Sequence, residues 1–287
     1  MSAIIIDGKA LATEIREKIK EDTARMTSAG IRPGLAVVLV GDDPASKVYV
    51  RNKKAACEEA GILSEEYTLP ASTSEAELLE LIHKLNNKKD IHGILVQAPL
   101  PSHINFKTIT ENILPEKDVD AFHPYNVGKI MIGDFDFLPC TPAGVMELIK
   151  KAGVSVSGKN CVVVGRSNIV GKPQSMLLLK ENGTVTICHS KTENLADFTK
   201  KADILVVAVG RAEMIKGDMI KPGAVVIDVG MNRNSEGKLV GDVDFSTAKD
   251  VAGYITPVPG GVGPMTITML LKNTLKAAEL SSKIDLK

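Results

Sequence analysis

An α/β fold with mostly parallel sheets is predicted by three observations. Short β-branched runs alternate with longer amphipathic stretches almost from end to end. Apolar residues inside the longer stretches recur at helical spacing. The order strand, helix, strand favours parallel pairing with helices on both sheet faces. Residues 4–6 (Ile-Ile-Ile) read as a brief strand closed by the turn pair Asp7-Gly8. Leu11, Ile15 and Ile19 mark one helical face, and Gly30 stops that helix. Residues 35–40 form a buried strand. Asp43-Pro44 supplies an N-cap and a first helical residue for a helix running to Gly61. Ser74 followed by Glu77 makes a capping box ahead of Leu78, Leu81, Ile82 and Leu85, and residues 94–96 are the next strand.

From Ala98 to Cys140 the rhythm breaks. Pro99, Pro101, Pro115, Pro124 and Pro139 interrupt every candidate element, with acids and aromatics between them. Such a stretch is expected to be a functional surface rather than a spacer. Thr141-Pro142 then heads a helix through Val145, Leu148 and Ile149 to Gly153. Further strands follow at 161–164, 185–188, 204–209 and 225–229, and a last helix from about 266 to 280. A domain boundary is expected near 141. This gives a first domain of residues 1–141, a second of 142–272, and a terminal helix (273–287) packing back on the first.

Composition narrows the function classes. The 287 residues carry 35 Lys and Arg against 35 Asp and Glu, with 44% hydrophobic and 24% charged, an ordinary globular balance. Zero net charge argues against nucleic-acid binding by bulk electrostatics. No apolar run approaches the ~18 residues of a membrane span. The N-terminus reaches Asp7 too soon for a signal peptide. Cys57, Cys140, Cys161 and Cys188 show no Cys-x-x-Cys spacing, which suits neither a disulfide framework nor a zinc site. The expectation is a cytoplasmic protein with no metal, nucleic-acid or membrane partner.

The chemistry-bearing motifs start at Gly165-Arg-Ser167-Asn-Ile169-Val-Gly171-Lys-Pro173, which follows an apolar strand and precedes a helical stretch. Such a turn lets backbone N–H groups and a helix N-terminus face a pyrophosphate, although the Gly-x-Gly-x-x-Gly spacing is absent and an ordinary βα turn has the same outline. The following strand ends at Cys188 and continues His189-Ser190-Lys191-Thr192, without the acid that binds a ribose 2′-hydroxyl. A hydroxyl and basic groups there, with Arg166 nearby, favour NADP over NAD. His189 and Ser190 equally suit capping of a helix near Thr192.

In the helix after Pro44, Lys53 shares a stripe with Tyr49, Ala56 and Ala60, whereas Arg51 and Lys54 point elsewhere. An amine held among apolar neighbours has its pKa lowered and becomes a base near neutral pH; a snorkelling lysine shows the same pattern. Gln97 ends a strand at the sheet's carboxyl edge, where open α/β folds bind ligands. Asp118 and Asp120 offer a carboxylate to a ligand with N–H donors, or serve as turn residues. Pro259-Gly260-Gly261-Val262-Gly263-Pro264 is a loop that lets backbone approach a cofactor, or a hinge.

Together these segments resemble one family. Tyr49-x-x-x-Lys53, Gly93-Ile-Leu-Val-Gln97 with Pro99-Leu-Pro101, and Lys117-Asp-Val-Asp120 match its substrate half. Gly165-Arg-Ser167, Ile169-Val-Gly171-x-Pro173 and Cys188-His-Ser190-x-Thr192 match its cofactor half. Asp228-Val-Gly-Met231-Asn-Arg233 and Thr256-Pro-Val-Pro-Gly-Gly-Val-Gly-Pro-Met-Thr266 complete the set. The chain is similar to the bifunctional methylenetetrahydrofolate dehydrogenase/methenyltetrahydrofolate cyclohydrolase family, with two departures: Ala98 where Leu is usual and Ala121 where Gly is usual.

The resemblance implies a folate-binding catalytic α/β domain, a Rossmann-like NADP-binding domain, an active site in the cleft between them, and a homodimer. It implies oxidation of 5,10-methylenetetrahydrofolate by NADP and hydrolysis of the 5,10-methenyl product to 10-formyltetrahydrofolate. By the same resemblance Lys53 is catalytic, Gln97 holds it and tunes its protonation, and Asp120 accepts hydrogen bonds from the pterin. Tyr49 stacks on the pterin, and Pro259, Gly260 and Gly263 join the substrate site. Gly165, Arg166, Ser167 and Ile169 supply the cofactor loop, Arg166 and Ser190 meet the 2′-phosphate, and Met231 borders the nicotinamide. A shikimate-type dehydrogenase would also pair a lysine with a Rossmann half, but has no use for the Pro-Gly-Gly-Val-Gly-Pro-Met-Thr loop. A silent NADP-binding scaffold has no use for Lys53, Gln97 and Asp120.

Overall fold

The computed structural model describes residues 2–282. They divide into two compact units, one made of 14–140 with 267–282 and the other of 2–13 with 141–266.

The chain opens with β1 (Ile4–Ile5) and α1 (Gly8–Ser28). Asp7 Oδ1 accepts from the Ala10 N–H at 2.9 Å, so Asp7-Gly8 enters a helix instead of closing a turn. Next come β2 (Gly34–Val40), α2 (Pro44–Ala60), β3 (Leu63–Leu69), α3 (Glu75–Asn87) and β4 (Gly93–Val96). The three strands pair in parallel in the order β3-β2-β4, with β2 wholly buried. Both predicted caps form: Asp43 accepts from the Ser46 N–H at 2.7 Å, and Ser74 and Glu77 close a reciprocal capping box. Strand β3 is absent from the sequence reading. It is an edge strand whose Ser-Glu-Glu run masks its alternation. Val38, Val40, Ile94 and Val96 pack on Leu78, Ile82 and Leu85 to form this unit's core.

The proline-rich stretch holds two helices, α4 (Phe106–Asn112) and α5 (Pro124–Ile132). Pro124 begins α5 rather than interrupting an element, because a proline at the first helical position sacrifices no intrahelical bond.

Beyond it lie α6 (Cys140–Lys151), β5 (Asn160–Val164), α7 (Gly171–Lys180), β6 (Thr184–Cys188), α8 (Leu195–Thr199), β7 (Ile204–Val207) and β8 (Val225–Asp228). A small antiparallel pair, β9 (Asn232–Arg233) and β10 (Leu239–Val240), precedes α9 (Phe245–Ala248), β11 (Tyr254–Ile255) and α10 (Val262–Ser282). The six-stranded sheet is parallel throughout, in the order β1-β11-β8-β7-β5-β6. Its core includes Val162, Val164, Leu205, Val207 and Val226.

Two boundaries differ from the expectation. Residues 2–13 group with 141–266, because β1 pairs with β11 at the sheet edge, Ile4 opposite Tyr254 and Ile5 opposite Ile255. A two-residue strand with exposed side chains carries no signal of which sheet it joins. The last helix starts at Val262, and its residues 267–282 group with 14–140. Of the expected terminal helix 273–287, residues 283–287 lie outside those described.

Candidate active site

Lys53 occupies the inward face of α2 with Ala56 and Ala60, and is itself only 9% exposed. Arg51 and Lys54 on the same helix are exposed. The Lys53 ammonium donates to Gln97 Oε1 at 2.9 Å. Burial lowers its pKa, while the charges of Asp120, Cys140 and Cys57 act in the opposite direction. The amine is thus biased toward its neutral form and held by an uncharged acceptor. Tyr49, one turn before it, is half-buried, and burial raises its phenol pKa.

Gln97 follows β4 directly. Its N–H continues the ladder to Val38 O at 2.8 Å, and its side-chain Nε2 donates to Ala98 O at 2.6 Å. The amide oxygen therefore faces Lys53 and the amide nitrogen faces away. Asp120 arrives on a segment that runs beside β4. Ile94 bridges in parallel to Asp118, and the Ile94 N–H donates to Lys117 O at 2.8 Å. Gly93 permits this approach, since a Cβ there would lie 2.7 Å from Val119 Cγ1. Burial raises the Asp120 pKa, opposed first by the Lys53 charge and then by the Cys140 thiol.

The two aspartates divide the work the sequence left open. Asp118 is 2% exposed and shapes the loop: its Oδ2 accepts from the His123 N–H at 2.8 Å and from Asn126 Nδ2 at 2.9 Å. Asp120 Oδ1 instead lies 3.5 Å from the Cys140 thiol, and its pKa responds to the Lys53 charge. Ala121 has a φ of +56° and is fully buried. That backbone conformation favours glycine, which accounts for the glycine that the resembled family places there.

In the other unit, the loop after β5 leaves the sheet where strand order reverses, β6 lying on one side of β5 and β7 on the other. In open α/β sheets this crevice takes the ligand. Gly165 has a φ of +129°, and a Cβ on it would lie 2.2 Å from Ala208 O after β7, so no side chain fits there. Ser167 Oγ accepts from the Val170 and Gly171 N–H groups at 3.1 and 3.3 Å, leaving its own hydrogen to donate outward. Arg166, Ile169 and Ser190 are exposed. Since Val164 pairs with Cys188, Arg166 and Ser190 each lie two residues past the ends of adjacent strands. Ser190 caps no helix: α8 begins at Leu195, and the turn before it is closed by the Thr192 N–H to His189 O at 2.8 Å and the His189 N–H to Thr192 Oγ1 at 2.8 Å. Met231, 45% exposed, approaches Gly263, where its Cε would lie 3.6 Å from an added Cβ. Gly260 O accepts from the Lys9 N–H at 3.0 Å, and Val258-Pro259 is cis.

Three residues escaped the sequence reading. Cys140 donates toward Val119 O at 3.4 Å and Asp120 Oδ1 at 3.5 Å. Asn273 donates to Val119 O and Leu138 O, both at 2.8 Å. Asp242, fully buried, accepts from the Val209, Gly210 and Arg211 N–H groups at 2.6, 3.0 and 2.8 Å and so builds the loop after β7. Asn273 carries a readable signal, a lone amide on a stripe with Met269, Leu270 and Ala277. Asp242 and Cys140 carry none, because their partners are backbone groups or distant in sequence.

Known proteins with this architecture are close in sequence. A family model described as the catalytic domain of tetrahydrofolate dehydrogenase/cyclohydrolase matches residues 6–120, and one described as the NAD(P)-binding domain of the same proteins matches 139–282. The bifunctional protein FolD of Acetivibrio thermocellus is 62% identical over 284 residues, covering 99% of this chain and 100% of the relative. A crystal structure of FolD from Campylobacter jejuni superposes with a TM-score of 0.95 at 50% identity, covering 97% of this chain and 99% of that one. The Trypanosoma brucei enzyme, solved with NADP cofactor and inhibitor, has a TM-score of 0.95 at 41% identity, covering 99% and 100%. By its motifs, its fold and these matches, the chain belongs to the tetrahydrofolate dehydrogenase/cyclohydrolase family.

Proposed function

We propose that Lys53, Gln97 and Asp120 handle the folate in an enzyme with two activities. The enzyme oxidises 5,10-methylenetetrahydrofolate with NADP and hydrolyses the resulting 5,10-methenyl cation to 10-formyltetrahydrofolate. The bond between Lys53 and Gln97, made by a buried amine with a lowered pKa, is the observation that carries the residue assignment.

Bound NADP supplies the hydride acceptor for the first activity. The chain's part in that step is positioning, since the folate nitrogen lone pair stabilises the developing cation. The side-chain chemistry belongs to the second. Water adds to the cationic bridge carbon, and neutral Lys53 takes the proton that this addition releases. The bond from that carbon to N5 then breaks as the new hydroxyl loses its hydrogen and becomes the formyl oxygen. N5 takes up one proton, so one proton is released overall. Gln97, donating nothing to the amine, leaves its lone pair available between cycles. Asp120 accepts hydrogen bonds from the pterin amino and ring N–H groups, a charge-assisted pairing. Tyr49 lies against the pterin ring, and Pro259, Gly260 and Gly263 contribute backbone to the substrate.

Backbone at Gly165, the Ser167 hydroxyl and Ile169 hold NADP, with Arg166 and Ser190 on the 2′-phosphate and Met231 at the nicotinamide. The glycine at the sheet's reversal point and the lack of an acid after β6 support this reading. Residues 14–140 with 267–282 are proposed as the folate unit and 2–13 with 141–266 as the NADP unit, the enzyme as a cytoplasmic homodimer. No helix among the described residues is long and apolar enough to cross a membrane.

The test is a two-stage assay of NADPH formation followed by methenyl decay. Lys53→Met is expected to abolish the decay catalysed by the enzyme while leaving measurable hydride transfer. Undiminished cyclohydrolysis in that variant would overturn the assignment.

A further inference from the structure

We propose that Asn273 is a positioning residue for Asp120, acting through the Val119 carbonyl and the Cys140 thiol. The proposal rests on the reading of Asp120 as a folate ligand. Asn273 lies on α10 and is 8% exposed, among Met269, Leu270 and Ala277. An apolar side chain would continue that stripe, so the amide is present for its hydrogen bonds. Its Nδ2 has two hydrogens and meets two carbonyls, Val119 O and Leu138 O, each at 2.8 Å. Both are consumed, and the two segments flanking the site are tied to one helix.

The same nitrogen lies 3.7 Å from Cys140 Sγ. Cys140 has one hydrogen and two acceptors within reach, Val119 O at 3.4 Å and Asp120 Oδ1 at 3.5 Å. With the stronger amide donor already on Val119 O, the thiol hydrogen is biased toward the carboxylate. Two constraints then converge on Asp120. The pinned carbonyl of Val119 sets the peptide plane from which its side chain departs, and the thiol sets the rotation of its carboxylate. Ala121, with its φ of +56°, turns the chain away immediately afterwards.

A purely structural role, satisfying two buried carbonyls, predicts a loss that does not depend on what occupies position 120. Titration calorimetry with tetrahydrofolate and, separately, with NADP separates the two roles. Asn273→Leu is expected to weaken tetrahydrofolate binding about tenfold, the scale of a lost buried hydrogen bond, and to leave NADP binding unchanged. Cys140→Ala, which keeps both amide bonds, is expected to weaken it about threefold. In an Asp120→Asn background each loss should shrink to about twofold or less, the non-additivity of residues acting as a unit. Equal losses in both backgrounds, or equal weakening of NADP, would overturn the proposal. Should Asn273→Leu fail to fold, the Cys140→Ala cycle alone decides by the same criterion. If Asp120→Asn by itself leaves tetrahydrofolate binding unchanged, the folate reading of Asp120 falls and the proposal with it; a normal loss there alongside additive losses removes only the proposal.

Discussion

Lys53 and Gln97 form a pair whose chemistry depends on the amide being neutral. A carboxylate at 97 would face the same amine across a comparable distance and stabilise its charged form. Because Lys53 has a lowered pKa, the cyclohydrolase rate should rise with pH along a limb whose midpoint lies below the ordinary lysine range. Gln97→Glu is expected to move that limb to higher pH. At neutral pH the rate should fall about tenfold, in proportion to the smaller share of amine left uncharged. A pH–rate profile of methenyl decay measures both. Lysine's stripe on α2 was legible from spacing alone, since Ala56 and Ala60 mark the buried face. Its acceptor was not readable from spacing: Gln97 is 44 residues away, the family resemblance alone named it, and the β2–β4 pairing delivers it.

At the scale of elements, coenzyme choice is made at the ends of β5 and β6. Parallel pairing brings Arg166 and Ser190 past adjacent strand ends, and no acid follows β6 before Glu193. NADP should therefore exceed NAD in kcat/KM. Ser190→Asp sets a carboxylate against the 2′-phosphate and is expected to lower kcat/KM for NADP by about tenfold or more while sparing NAD, as steady-state kinetics with the two coenzymes would reveal. The strand ends were readable from β-branched runs. The helices of the proline-rich stretch were not, because Pro124 serves at a helix start as well as it breaks a helix interior. Strand β3 was missed for a related reason, since a half-buried edge strand tolerates the charges that disguise it.

The stability of the whole molecule carries a signature of its buried acids. Asp228 ends β8 at 3% exposure and accepts from the Gly230 and Asp242 N–H groups through Oδ1 and from Val243 through Oδ2, each at 2.9 Å. Burial nevertheless pushes its pKa up to about 6. Its folded pKa thus lies above its unfolded value, so the folded state binds the proton more tightly between about pH 4 and about pH 6. Stability from this group is present at the acid end and is lost as pH rises through that window, by at most roughly 3 kcal/mol. Asp228→Asn is expected to lower stability at the acid end of the window, because an amide nitrogen cannot accept from the Val243 N–H. It should also flatten the slope between those pH values. Chemical denaturation of both proteins across the window, compared by slope, is the measurement.

Local pattern was enough to reveal the α/β class, the helix caps at Asp43 and Ser74, the inward face of Lys53 and the glycine turn after β5, because each is written in residues a few positions apart. Distant partners were beyond it. The edge pairing of β1 with β11, the separate duties of Asp118 and Asp120, and the ties of Asn273 and Cys140 to the site depend on contacts that exist only once the sheets have formed. A backbone carbonyl such as that of Val119 has no side-chain letter to announce that a remote amide will claim it.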